Sequence, residues 1–521
     1  MKKVFSILLC GAIYAASVSA GEPEPPVIIG KEHALSERML SPQIKKSKLA
    51  LFQKNKSQIT ASESFDLGDG ISLICHKNDL TGTLLEVNVN AQQWSELISE
   101  IYFIPRLKEI TNLLYSKLND DFDFIFFVLN TPIDETIKSQ LGFFGLNMRV
   151  SNQVQGLGAG KHSFTAEWGS DGKLASALYF PYYDAIAAGP SLHEMLHTWS
   201  SFICPTYDLG KSQYLAHWGI SSANGQAGGF KYARVVEENY GGVAGKTLYQ
   251  ASRTPEKNKD GSFKYGGFGV NANDGNGSLY SDIELYLMGL KSAQELRDAN
   301  FQLDVYSGND YQPESFANGY FSSTGKKTYT IDDIIARNGK RIPDASDSQK
   351  QFKVLTVVLT PEAAVDNYRN QIMRDINWLA GEVNDATFPN LYNFRQATGN
   401  RGSLVVNNLA NSLKTPLPAT KAAPGNSSDV PSNNNNVSGS ELILSDVTVY
   451  PNPTDGLLTL VYDSQAKVYN ITVADSNGKI LLRRRVADRM IQLDLKEFPS
   501  GMYLLTIEDG MQKITKKVIK N

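Results

Sequence analysis

Apolar positions along the chain fall into three regimes. Residues 4 to about 16 form a short unbroken apolar stretch, residues 65 to 413 alternate helix-like and strand-like spacing, and residues 441 to 521 break into short alternating runs. In the middle regime, residues 104 to 118 (IPRLKEITNLLYSKL) place apolar side chains three and four apart, which predicts an amphipathic helix. Residues 122 to 129 (FDFIFFVL) are almost continuously apolar and of strand length, as expected of a strand covered on both faces. Leu178-Tyr179-Phe180 is a second strand candidate, followed by a break at Gly189-Pro190. Ser191 then stands where a helix N-cap belongs, with Glu194 at capping-box spacing. This alternation predicts a mixed α+β domain.

The ends of the chain change that picture. Lys2 and Lys3 ahead of the apolar stretch, and Val18-Ser19-Ala20 before Gly21, predict a signal peptide over residues 1–20. The stretch is shorter than the ~20 residues of a spanning helix, and no later one is long enough, so no transmembrane span is expected after cleavage. Residues 21–64 are polar, with Pro23, Pro25 and Pro26 and the basic run Lys45-Lys46-Ser47-Lys48, and read equally as a propeptide or an extended arm. Residues 414–440 (KTPLPATKAAPGNSSDVPSNNNNVSGS) lack apolar periodicity, and a segment that buries so little is expected to be a flexible, disordered linker. From 441 onward, LLTLVYD, YNITVAD, MIQLDL and MYLLTIED, with turn signals at Asn477-Gly478 and Asp509-Gly510, predict a small all-β module.

Composition excludes some functions. The 521 residues are 41% hydrophobic and 20% charged, ordinary for globular domains. With 51 Lys and Arg against 54 Asp and Glu, the net charge is −3, and no basic excess exists to hold nucleic acid. Beyond the leader only Cys75 and Cys204 remain, which fits one disulfide or two buried thiols and is too few for a Cys-rich zinc site.

The candidate chemistry lies in His193-Glu194-Met195-Leu196-His197. Two His four apart project from one helix face and bind one Zn2+ through neutral imidazoles, while Glu194 stands near the open coordination position. There a carboxylate accepts a proton from water acidified by the metal and returns it to the leaving amine, so Glu194 is the candidate general base. A catalytic zinc takes a third protein ligand. The metzincin pattern is not met, since Ser200 and Ile203 occupy its Gly and His positions. The gluzincin pattern places Glu twenty residues after the second His, and that offset holds His217, in Ala216-His217-Trp218. His217 is therefore the candidate third ligand, with Glu284 in Ile283-Glu284-Leu285 as its rival, because an apolar helical run does not bury a carboxylate unpaired. Trp199 and Trp218 are expected to pack around the site, and Tyr286 and Tyr232 are candidates for oxyanion stabilisation.

Two other motifs are weaker. Asp274-Gly275-Asn276-Gly277-Ser278 with Asp282 clusters oxygen ligands and is a candidate Ca2+ site or a plain turn, the EF-hand pattern failing at Leu285. Gly156 to Lys161 misses the Walker spacing at Gln155 and His162 and reads as a loop.

Two resemblances add to these readings. Val449-Tyr450-Pro451-Asn452-Pro453 with Gly456, DSNGKIL, Pro499-Ser500-Gly501-Met502-Tyr503 and the tail KITKKVIK closely resemble the type A C-terminal sorting domain of the type IX secretion system. That resemblance implies a small immunoglobulin-like sandwich over residues 441–521, a partner in the type IX machinery, and export through the periplasm to the cell surface or medium. HExxH, His-Trp and ELYLMGL in that order resemble secreted zincin-like bacterial proteins, which implies one zincin-like α+β catalytic unit over residues 65–413. The expected function is a secreted zinc metallopeptidase hydrolysing extracellular proteins or glycoproteins. The alternative is a catalytically inactive surface binding protein or adhesin of zincin fold.

Overall fold

The computed structural model describes residues 62–417 and 446–521, except 77–80, 201, 204–215, 254–255, 258–262, 265–266, 274, 308–317, 363–367, 382–387, 389–390, 451, 464–468, 476–478, 487–489 and 509–512. Two compact units divide the chain between Ala419 and Thr420.

The first unit is built on an eight-stranded sheet. Its strands are β1 (Ser62–Gly68), β2 (Ile71–His76), β3 (Leu84–Val89), β4 (Phe124–Leu129), β5 (Leu146–Arg149), β6 (Ser176–Phe180), β7 (Gln351–Pro361) and the short β8 (Ser403–Val405). The order is β1-β2-β3-β7-β4-β6-β5, with β8 alongside β7. β7 runs parallel to both β3 and β4, β6 is parallel to β4, and the terminal strand β5 is antiparallel to β6. β1 begins at Ser62, inside the segment assigned to the N-terminal arm.

Two hydrophobic layers explain the unbroken apolar strands. In β4, Phe124, Phe126 and Val128 enter the core on one face, and Ile125, Phe127 and Leu129 enter the core on the other. Each such buried side chain contributes about 2 kcal/mol through water exclusion. Helix α1 (Phe103–Lys117) covers the second face with Phe103, Leu107, Ile110 and Leu114, the three-and-four spacing predicted from the sequence, with the helix bounds one residue earlier than expected. Its Pro105 sits in the first turn, where no intrahelical donor is lost, and Lys117 lies in the last turn.

The first face carries the chemistry-bearing segments. Helices α2 (Ala185–Ala188) and α3 (Ser191–Leu196) follow β6, with α4 (Asp282–Leu287) and α5 (Arg369–Ala380) later in the chain. Leu192, Met195, Leu196, Trp199, Trp218, Ile283, Ile372 and Ile376 share this core. The expected Ser191 capping box is absent: the N-cap is Pro190, and Ser191 is the first helical residue, its hydroxyl donating to the Ile186 carbonyl at 2.7 Å. The cap comes instead from Asn276, whose Oδ1 accepts from the Leu192 N–H at 3.2 Å while its amide donates to the Ile186 and Ala187 carbonyls.

The second unit has a three-stranded and a four-stranded antiparallel sheet. The first holds Asp446–Tyr450, Leu457–Asp463 and Met490–Asp494; the second holds Ile480–Val486, Tyr469–Asp475, Gly501–Glu508 and Lys513–Lys520. Leu458, Leu460, Ile491 and Leu493 from one sheet meet Ile471, Val473, Leu505 and Ile507 from the other in a single core, a β-sandwich arrangement. The basic tail is the edge strand of the second sheet. Both predicted turns, at Asn477-Gly478 and Asp509-Gly510, lie outside the described residues.

Candidate metal centre

His193 and Glu194 lie on α3, and His197 is its C-cap, still in right-handed helical conformation at φ −61° and ψ −11°. One turn of helix therefore brings both rings to the same side. The His217 ring comes from a separate segment, stacked on His193 with centroids 5.3 Å apart and edge-on to His197 at 4.9 Å. One nitrogen from each ring lies within 4.8 Å of the other two. His193 is 1% exposed, and His197, His217 and Glu194 are fully buried.

The hydrogen bonds behind the rings fix which nitrogens face inward. His193 Nδ1 lies 2.9 Å from the Gln226 carbonyl oxygen, and His197 Nδ1 lies 3.2 Å from the Ser200 carbonyl oxygen. A carbonyl only accepts, so in each neutral ring Nδ1 carries the proton and Nε2 presents a lone pair. Burial keeps His193 neutral, pushing it down to about 4 against the opposing effect of the Gln226 carbonyl. The two Nε2 atoms are 3.0 Å apart. Two lone pairs that close repel each other and a shared cation would relieve the repulsion, so three convergent imidazoles are a donor set of the kind that fits a divalent metal. Among the described residues the group contains three candidate ligands.

Glu194 is pushed well above the usual carboxylate range by burial. A cation held by the neighbouring rings acts in the opposite direction. The Asn147 amide on β5 donates to the Glu194 carbonyl at 2.5 Å and to the Thr198 hydroxyl at 3.1 Å, tying α3 to the end of the sheet. Gly145, just before β5, packs directly on the Glu194 side chain.

Glu284 is not among the three ligands. Its Oε1 accepts from the Trp218 indole N–H and the Ala227 N–H, both at 2.9 Å, and its Oε2 accepts from the Gln226 N–H at 3.0 Å and the Ser281 N–H at 2.8 Å. Those donors fill two lone pairs on each oxygen. Burial pushes the Glu284 pKa up and the four donors oppose it. A protonated carboxyl would set an O–H against N–H donors, so the geometry is that of the anion.

The remaining candidates take no part in the three-histidine group. Trp199 packs edge-on to Phe124 and beside Phe352 in the core. The Tyr286 hydroxyl accepts from the Arg341 N–H at 3.2 Å, and Tyr232 lies on an exposed strand, Tyr232–Glu238. Of the calcium candidates, Asn276 caps α3, Ser278 donates to the Asn273 carbonyl, Asp282 pairs with Lys291 at 2.7 Å, and Asp274 lies outside the described residues. Cys75 is buried in β2, and Cys204, its candidate partner, lies outside the described residues. Gln226, Asn147 and Gly145 were not singled out by the sequence, and Asn276 was named only within the calcium-or-turn candidate. A lone amide or glycine carries no spacing signature, and only residues 274–278 had been read as a Gly-rich turn.

Residues 448–521 match the secretion system C-terminal sorting domain family. Two solved structures are similar over 14% of this chain. One is a DUF3244 family protein with an immunoglobulin-like β-sandwich fold from Bacteroides vulgatus, at 22% identity over 84% of that chain with a TM-score of 0.13. The other is PorZ, a surface component of the type IX secretion system of Porphyromonas gingivalis, at 21% identity over 11% of that chain with a TM-score of 0.13. No curated protein matches the chain significantly. Among the described residues no helix is long and apolar enough to cross a membrane.

Proposed function

Starting from a chain that its sorting domain directs through type IX secretion to the cell surface or extracellular space, we propose that the first unit is a zinc metallopeptidase of zincin-like fold. Its substrates are peptides or proteins met outside the cell. The observation that carries this reading is the convergence of His193, His197 and His217 with two Nε2 lone pairs 3.0 Å apart.

His193, His197 and His217 would hold the ion. A zinc ion there would supply water acidification and polarisation of the scissile carbonyl. Glu194, next to His193 on the same helix, takes the proton from water and delivers it to the leaving amine. The Gln226 and Ser200 carbonyls keep the proton of their rings on Nδ1, so that Nε2 stays a donor to metal. Asn147 fixes the helical turn between Glu194 and Thr198.

The near-complete burial of all four side chains favours a second reading, an exported binding protein whose metal is structural. Cleavage of an unfolded protein mixture by the purified secreted chain separates the two, run beside Glu194→Gln and beside a zinc chelator. Hydrolysis lost in both controls supports the peptidase. A folded, zinc-loaded protein that cleaves nothing supports the binding protein.

A further inference from the structure

The peptide joining Gln226 to Ala227 is held at both ends. Its C=O accepts from His193 Nδ1–H at 2.9 Å, and its N–H donates to Glu284 Oε1 at 2.9 Å. The same oxygen accepts from the indole of Trp218, the residue after His217, and the other oxygen accepts from the Gln226 and Ser281 N–H groups. The Trp218 N–H in turn donates to the Ala227 carbonyl at 2.9 Å, joining the two segments by backbone as well. Room for this clasp depends on Gly225, where a Cβ would lie 2.0 Å from Glu284 Oε2. Such contact does not exist between real atoms, so only glycine fits while the carboxylate stays in place.

We propose that Glu284 is a positioning residue for the three-histidine centre, acting on His193 through a carboxylate–peptide–imidazole relay and on His217 through Trp218. An anion at the N–H end of a peptide polarises it and strengthens its C=O as an acceptor. The strengthened carbonyl holds the His193 proton on Nδ1 and turns the Nε2 lone pair toward the centre. A carboxylate bonded directly to a metal-binding histidine has the same effect; here one peptide stands between them. The buried charge that a helical run such as Ile283-Glu284-Leu285 would otherwise exclude is thereby given a task. The consequence for metal binding rests on the zinc reading above, whereas the relay is a property of the metal-free protein.

The test uses the full chain with 15N-labelled histidine, comparing wild type, Glu284→Gln, Glu284→Asp and Trp218→Phe. Two quantities are read: the His193 Nδ1–H resonance without metal, and zinc affinity by competition with a chromophoric chelator. Glu284→Gln removes the charge and Glu284→Asp withdraws the oxygens by one methylene. Each is expected to move the His193 Nδ1–H signal upfield or abolish it, and to weaken zinc binding about 10–100-fold. Trp218→Phe is expected to leave the His193 signal in place. An unchanged His193 signal in folded Glu284→Gln or Glu284→Asp overturns the proposal, whatever happens to thermal stability. A shifted signal in a protein whose wild type binds no zinc upholds the relay and sinks the zinc reading alone.

Discussion

A methyl group added at Gly145 would lie 2.6 Å from Pro190 Cγ, 2.8 Å from Glu194 Cγ and 3.0 Å from Glu194 Oε1. Gly145→Ala must therefore displace the Glu194 side chain, whereas none of the three rings supplies an atom closer than these. Under the peptidase reading, kcat/KM falls at least about tenfold, since a general base works only within hydrogen-bond reach, and zinc stoichiometry stays the same. Glu194→Gln carries the same logic further: hydrolysis drops by about 10²–10⁴-fold with the metal retained. His217→Ala has the opposite signature, because it removes a ligand; metal loss measured by chelator competition should precede any change in folded content. His217 was legible from its offset to His197, and the ranking of His217 over Glu284 was not. Both residues sit in aromatic surroundings in the sequence, and what separates them is that four N–H donors already occupy the Glu284 oxygens.

At the scale of elements, α3 is only six residues long and has no side-chain cap of its own, so its start depends on Asn276, some eighty positions downstream. Asn276→Ala removes the acceptor for Leu192 N–H and leaves the Ile186 and Ala187 carbonyls without that donor. The expected loss is about 2 kcal/mol, read by chemical denaturation of the first unit. Phe124–Leu129 was legible as an unbroken apolar run of strand length, and the helix at Phe103–Lys117 because it follows one periodicity over its whole length. The start of α3 was misread for a physical reason. Ser191 and Glu194 have the spacing of a capping box, but Ser191 already donates to Ile186 and Glu194 belongs to the site, so the cap is supplied from a distant turn. The same turn had looked like a calcium candidate, since amide and hydroxyl oxygens serve helix ends and cations alike.

On the scale of the molecule, the sorting domain and the three-histidine group belong to separate units. Removing residues 446–521 should leave the three-histidine group and its zinc affinity unchanged while the protein accumulates in the periplasm, a result read by fractionation. The reverse holds for Leu505, fully buried in the sandwich core: Leu505→Ala costs about 2–5 kcal/mol there and should reduce export without altering the metal site. The metal group itself carries a temporal implication. His193 and His197 come from one helical turn and are neighbours as soon as that turn forms, but His217 and the Glu284 clasp arrive only when segments up to about ninety positions apart have closed on one another. Closure of that kind waits for long-range contacts and is slow compared with helix formation. On the zinc reading, an unfolded chain crossing the inner membrane holds at most two imidazoles and no enclosed carboxylate. Latency in the producing cell then follows from topology, with no inhibitor needed until folding is complete.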